Sequence, residues 1–197
     1  MTEVDRLLDA IRRPAGQSSD YDLNPGITLP EGRKLRPAAV LVPIWLRDDG
    51  ARLILTKRSS HLKHHPGQIA FPGGKVDAAD ASIQAAALRE AREEIGLPEA
   101  AVEVAGLLPP HETVTSFTVT PVVGLVRGVF DPVPEAGEVE EVFSVPLAHV
   151  LDPARFFVER RRWLGQWRSY YAVPYGPYYI WGATARILRG LAERVRT

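Results

Sequence analysis

The chain has 197 residues, is 45% hydrophobic, and balances 24 Lys plus Arg against 24 Asp plus Glu for a formal net charge of zero. That length and apolar content suffice for one substantial core, and a neutral chain excludes broad, charge-driven attraction to nucleic acid. The absence of cysteine excludes disulfides, thiolate zinc sites and a cysteine nucleophile.

No run of residues is apolar for long enough to span a bilayer, and the first residues lack a signal-like apolar core. A cytoplasmic protein without membrane contact is therefore expected, organised as a single domain over 1–197. Residues 2–13 read as a short amphipathic helix, with Val4, Leu7, Leu8 and Ile11 at helical spacing and Thr2 as N-cap. Residues 14–37 are rich in Gly, Pro, Ser and Asp, which predicts an extended arm. Such an arm either wraps the domain or meets a second subunit, leaving a homodimer open. Residues 1–37 thus precede a core of 38–197.

Two strands, 38–46 and 52–57, flank Arg47-Asp48-Asp49-Gly50, a turn signal that predicts a hairpin feeding the core sheet. Lys57, Arg58, His61, Lys63, His64 and His65 then crowd together. Phosphate oxygens suit such a cluster, arginine offering a planar fork and lysine a point charge; a solvated basic loop is the plainer reading.

The stretch FPGGKVDAADASIQAAALREAREEIGL, residues 71–97, packs three glutamates and an arginine close together. At roughly 100° per residue, Glu90 and Glu94 point within about 20° of Ile83, with Glu93 on the adjoining flank. Ile83, Ala87, Ala91 and Ile95 form an i, i+4 row that suits packing on a sheet, so the acidic side chains line a cleft at its margin. Partly desolvated carboxylates there repel one another unless a cation joins them, and all-oxygen donors suit Mg²⁺ or Mn²⁺. Gly73 and Gly74 after Pro72 predict a tight turn whose carbonyls approach an ion or phosphate. Gly96, followed by Pro98, predicts a left-handed helix stop. The plainer alternative is a surface helix whose Arg and Glu pair along its face.

Residues 102–108 and 117–126 read as further strands; His111-Glu112-Thr113 between them is a polar loop able to reach the cleft, with an ordinary turn as the plainer reading. After a loop at 128–137, Glu138, Glu140 and Glu141 precede an apolar run and read as a charged strand edge. Phe156, Phe157, Arg160 to Arg162, Trp163, Trp167 and the tyrosines from Tyr170 to Tyr179 suggest two strands joined near Gly165. Core packing is the expected role of these rings, with stacking on an adenine as the alternative. Residues 182–196 read as a terminal helix with Ala185, Leu188, Leu191, Ala192 and Val195 inward.

Arg89, Glu90, Ala91, Glu93, Glu94, Gly96 and Leu97 resemble the second half of the Nudix hydrolase signature. That signature runs Gly, five residues, Glu, seven residues, Arg-Glu, apolar, any, Glu-Glu, any, Gly, apolar. The first half departs: Asp80 stands where Glu is expected after Gly74, and eight residues separate it from Arg89. Asp80 therefore reads either as a helix N-cap or as a shorter acidic substitute. Upstream, Ile54, Leu55, Thr56, Arg58, Ser59, Lys63, Gly67, Phe71, Pro72, Gly73 and Gly74 are similar to the motif of the coenzyme A pyrophosphatase branch, with Ile54 and Lys63 replacing leucine and arginine. LLPPHETVTSFTVTPVVG and YIWGATARIL also look like this branch.

The resemblance implies an α/β fold, an α/β/α sandwich around a mixed β-sheet. It implies hydrolysis of the diphosphate linkage of coenzyme A or acyl-coenzyme A with Mg²⁺ or Mn²⁺ as cofactor and a small nucleotide as the partner. Gly74, Glu90, Glu93 and Glu94 would hold the metal, Arg89 would orient them, and Glu94 or Glu138 would be the base. Lys57, Arg58, Ser59, Lys63, Phe71 and Gly73 would contact substrate. ADP-ribose, a dinucleotide or a nucleoside triphosphate are alternative substrates, and a non-catalytic nucleotide-binding module is the alternative outside enzymes.

Overall fold

The computed structural model describes residues 2–163 and 165–196, the side chain of Trp163 excepted. In chain order its elements are α1 (Glu3–Arg12), β1 (Ser18–Ser19), β2 (Arg36–Trp45), β3 (Arg52–Arg58), β4 (Ile69–Ala70), β5 (Gly73–Lys75), α2 (Ile83–Ile95), β6 (Val102–Leu107), β7 (His111–Glu112), β8 (Phe117–Val126), β9 (Val139–Pro146), α3 (Leu147–Val150), β10 (Phe157–Trp163), β11 (Gln166–Ala172) and α4 (Gly182–Arg196).

One mixed sheet holds β1 to β9. Strand β2 is its axis, pairing in parallel with β8 over ten residue pairs from Arg36↔Phe117 to Trp45↔Val126. Its other edge is shared. The predicted hairpin with β3 is confined to Ile44↔Leu53 and Trp45↔Arg52, after which the two strands part. β3 instead runs antiparallel to β9 over its whole length, from Arg52↔Pro146 to Arg58↔Val139. The opening between β2 and β3 is filled by the segment that carries the two glycines. β4 pairs with β3, and β5 pairs with β2 through Val40↔Gly73, Ala39↔Gly74 and Ala38↔Lys75. Gly73 and Gly74 are thus strand residues, a correction to the predicted turn. Their lack of side chains lets β5 lie close against β2, since a Cβ on Gly73 would strike the Ala39 carbonyl oxygen.

Alternation along the central strands sends side chains to two cores. Val42, Ile44, Leu53, Leu55, Val123 and Leu125 meet Leu7 of α1 and Ala185, Leu188 and Leu191 of α4 on one face. Leu41, Ile54, Val122 and Val126 meet Ala86, Ala87, Ala91 and Ile95 of α2 on the other. The result is the α/β/α sandwich on a mixed sheet that the family resemblance implied. Thr2 closes a capping box with Asp5 at the start of α1.

The arm at 14–35 is mostly irregular but strapped down. β1 runs parallel to β7, and His111, which is 0% exposed, bonds Ser18 Oγ at 2.9 Å and Asp20 Oδ1 at 3.0 Å. His111-Glu112-Thr113 is therefore an anchor for the arm and not an ordinary turn. The C-terminal aromatics divide: Phe156 is buried in the core and Tyr171, Tyr175 and Tyr178 pack against it as expected, whereas the outer rings of the ribbon depart from that expectation. β10 and β11 form a separate two-stranded ribbon, and Trp167 is 62% exposed. Most of the ribbon stands outside the core because Arg160, Arg161 and Arg162 in β10 are exposed along it.

Candidate active site

Helix α2 starts at Ser82, whose Oγ accepts from the Ala85 N–H at 3.1 Å, and ends at Gly96 in the left-handed conformation with φ of 71°. Asp80 is consequently not the N-cap. It is the partner of Arg89, which donates from Nε to Oδ1 at 2.9 Å and from Nη2 to Oδ2 at 3.0 Å. The Asp77 N–H adds a third bond to Asp80 at 2.8 Å. Bonds to Arg89, then to Asp77, hold the Asp80 carboxyl down at about 2.

Arg89 fills its remaining donor positions inside the same site. Nη1 donates to Glu90 Oε1 and to Glu93 Oε2, each at 3.0 Å, and Nη2 reaches the Lys75 carbonyl at 3.2 Å. All the N–H groups of a guanidinium are thereby engaged, so its plane is fixed and its charge is shared among three carboxylates. The side-chain bond to Asp80 first, then those to Glu90 and Glu93, raise the Arg89 pKa.

The three glutamates lie at different depths. Glu93 is exposed, Glu90 is partly buried, and Glu94 is only 5% exposed. Glu94 Oε2 accepts from the Gly73 N–H at 3.0 Å. Burial pushes the Glu94 carboxyl up to about 7, with repulsion from Glu90 and Glu138 adding to it. Burial likewise raises Glu90. A Cβ on Gly74 would lie 2.6 Å from the Glu90 carboxylate carbon, so Glu90 occupies the space that the missing side chain leaves open.

Glu138 is exposed, within electrostatic reach of Glu90 and Glu94. Two backbone bonds hold the loop before it to the end of α2, Val133 N–H to the Ile95 carbonyl at 2.9 Å and Glu135 N–H to the Glu94 carbonyl at 2.8 Å. The Ser59 N–H donates to the Glu138 carbonyl at 2.8 Å, tying the basic loop to the same place.

The basic cluster divides. Arg58 follows a bulge in the β3–β9 pairing, its charge acts on Glu94, and its Nε is buried with no hydrogen-bond partner. Lys57 is occupied by Glu140 at 2.7 Å, and Lys63, His61, His64 and His65 are exposed. Ser59 is buried, its hydroxyl accepting from the His61 N–H at 3.3 Å. Phe71, which the resemblance implied would contact substrate, is 5% exposed and belongs to the core cluster that also holds residues of α4.

Among the described residues no three carboxylate or imidazole groups already converge as ligands. Arg89 draws Glu90 and Glu93 towards itself, and Glu94 faces the Gly73 N–H. The donor chemistry nevertheless fits a hard divalent cation. It is all oxygen, and it includes two desolvated carboxylates that repel each other. Asp77 was not singled out from sequence. It lies 3.6 Å from Arg89 by way of a loop, a pairing without helical or strand periodicity to announce it.

Comparison with known proteins agrees with this geometry. The NUDIX domain pattern matches residues 35–167. The chain is 46% identical over 168 residues to the uncharacterised Nudix hydrolase NudL of Enterobacter sp. (strain 638), covering 81% of this chain and 83% of that one. It is 47% identical over 176 residues to the uncharacterised Nudix hydrolase NudL of Salmonella heidelberg (strain SL476), covering 88% and 89%. A crystal structure of a Nudix hydrolase from M. smegmatis, RenU, superimposes with a TM-score of 0.50 at 25% identity, covering 60% of this chain and 73% of that one. With the family pattern spanning most of the chain and its relatives matched over most of their length, the chain belongs to the Nudix hydrolase family.

Proposed function

We propose that this Nudix hydrolase cleaves the diphosphate linkage of coenzyme A or an acyl-coenzyme A, giving adenosine 3′,5′-bisphosphate and 4′-phosphopantetheine or its acyl form. The observation that carries the reading is the placement of Arg58, with its buried unpartnered Nε, within electrostatic reach of Glu94. It sets a fork for phosphate oxygens beside the acidic cluster, on the segment that resembles the coenzyme A branch.

Gly74, Glu90, Glu93 and Glu94 are the residues that would hold Mg²⁺ or Mn²⁺. When bound, such a cation neutralises the diphosphate and makes water a better nucleophile. The chain's own residues do the rest. Arg89, clamped by Asp80, fixes Glu90 and Glu93. Glu94 or Glu138 takes the proton of the attacking water, which approaches phosphorus in line with the leaving oxygen. Arg58 and Gly73 orient the diphosphate, with Lys63 and Ser59 in the loop behind them. Lys57 takes part once the phosphate competes with Glu140. The reading includes a single catalytic domain acting in the cytoplasm; a homodimer is compatible with it.

Incubation with coenzyme A, ADP-ribose and a dinucleotide, with and without Mg²⁺ or Mn²⁺, followed by mass spectrometry of the products, tests it. Metal-dependent release of 4′-phosphopantetheine, faster than cleavage of the others, is expected. Faster cleavage of another substrate would discard the coenzyme A assignment and keep the hydrolase.

A further inference from the structure

The ribbon of β10 and β11 has two faces, because side chains alternate along each strand. One face carries Glu159 and Arg161 of β10 with Arg168 and Tyr170 of β11, and it leans on the body of the domain. Tyr170 and Arg161 meet the Trp181 ring at 5.1 and 5.0 Å, and Arg168 meets that of Tyr21 at 5.6 Å. The other face carries Val158, Arg160 and Arg162 with Trp167, Ser169 and Tyr171. Tyr171 at its base packs against the core. Val158, Arg160, Arg162 and Trp167 are exposed, Val158 by 50% and Trp167 by 62%.

The charge on this outer face has no counterpart. Arg160 lies over the Trp167 ring at 5.9 Å, Arg162 Nε donates to the Gly165 carbonyl at 3.4 Å, and neither meets a carboxylate among the described residues. Glu159, the ribbon's one acidic residue, belongs to the opposite face. Two cations therefore stand beside two exposed apolar side chains, in a chain whose formal net charge is zero. A partner with an anionic surface over an apolar layer satisfies both kinds of group at once. A second copy does not fit, since the free edge of β10 carries three successive arginines that would face like charges. A nucleic acid would engage the arginines and the indole but leave Val158 in water.

We propose that this face docks the protein on an anionic lipid surface, with Arg160 and Arg162 on the headgroups and Trp167 and Val158 in the interfacial layer beneath. Guanidinium forks match phosphate oxygens, and an indole, apolar over its ring and polar at its N–H, suits that layer. No helix among the described residues is long and apolar enough to cross a membrane, so the contact is peripheral. It departs from the expectation of no membrane contact, which rested on the lack of a spanning run.

Sedimentation of the intact protein with vesicles tests the assignment. Vesicles of equal parts phosphatidylcholine and phosphatidylserine should carry the protein down at low ionic strength, less so as salt is added, and pure phosphatidylcholine vesicles should not. Arg160→Gln combined with Arg162→Gln should weaken binding about thirtyfold, the scale of two arginines near an anionic surface. Arg160→Lys with Arg162→Lys should retain most of it, because the charge is kept. Trp167→Ser should weaken binding about tenfold and leave its salt dependence in place. All three variants should melt with the wild type, as exposed positions outside the core allow. Wild-type protein that stays in solution with the mixed vesicles, or sediments equally with both kinds, would overturn the proposal without any variant having to fold. So would a Gln double variant that binds as the wild type does, or tighter binding to single-stranded RNA than to the mixed vesicles, which would assign the face to nucleic acid.

Discussion

The Gly73 N–H donates to Glu94 Oε2 at 3.0 Å, so strand β5 and helix α2 are joined through a carboxylate that is almost wholly buried. Glu94→Gln keeps an acceptor for that N–H and removes the charge. Turnover of coenzyme A is expected to fall by at least about a hundredfold, as for loss of a metal-site group. Stability should move the other way. The folded Glu94 carboxyl is raised to about 7 from an ordinary 4.5, so its neutral form stabilises metal-free protein fully below pH 4.5, and that contribution is lost as pH rises through 7. In EDTA, thermal melting should therefore show the variant more stable than wild type at pH 8 and equal to it at pH 4. Wild-type turnover in the variant would remove Glu94 from the mechanism.

Asp80 and Arg89 predict a different pH dependence. The folded Asp80 carboxyl sits at about 2 against an ordinary 3.8. A lowered carboxyl gives stability that is fully present above 3.8 and disappears as pH falls through 2. Asp80→Asn should flatten the acid limb of the unfolding profile between those values. Because Arg89 then loses its strongest anchor, kcat should also fall about tenfold with KM little changed. An unaltered acid limb would show that the pair contributes nothing to folding.

The glutamate-bearing helix α2 was legible because its signals are local. Ser82 aside, the apolar row Ile83, Ala87, Ala91 and Ile95, the glutamates beside it and the Gly96 stop are all set by spacing along one element. What escaped is non-local. Asp80 meets Arg89 across a loop and a helix start, and no periodicity encodes that meeting. The hairpin expected from Asp48-Asp49-Gly50 exists for only two pairs, because β5 and β9 compete for the edges of β2 and β3. The buried His111 looked like a turn residue, since its partners Ser18 and Asp20 come from a distant arm. For the ribbon, aromatic composition suggested burial, while the arginines interleaved with the rings keep it outside the core.

His111 carries the arm. Its two ring nitrogens bond Ser18 and Asp20, Asp20 Oδ2 also accepts from the Val114 N–H at 2.9 Å, and Glu112 next to it pairs with Arg33. His111→Ala leaves two polar partners unsatisfied and a void at a fully buried position. A loss of about 2–4 kcal/mol is expected. Release of the arm should make trypsin cut after Arg33 or Lys34 well before the sheet is attacked. His111→Gln, which can still donate and accept, should recover part of both effects. Equal trypsin sensitivity of the arm in all three proteins would mean that other contacts hold it.

The paired glycines separate folding from catalysis. A Cβ on Gly73 would meet backbone, the Ala39 carbonyl oxygen and Val40 Cα, and Gly73 has φ of 155°, which side chains rarely adopt. Nothing there can yield, so Gly73→Ala should cost about 3 kcal/mol or prevent folding. A Cβ on Gly74 would meet only the end of the Glu90 side chain, at 2.6 Å from its carboxylate carbon. That carboxylate can swing away. Gly74→Ala should therefore change stability by no more than about 1 kcal/mol. The displaced Glu90 loses its alignment with Arg89, and a misplacement of about 1 Å in a catalytic group is worth about a hundredfold in rate. Gly16→Ala, where a Cβ would meet nothing within 4 Å, is the neutral comparison. Parallel melting curves and coenzyme A turnover for the three variants check the argument. If Gly74→Ala melts with wild type and also turns over with it, the position of Glu90 is not what the rate depends on.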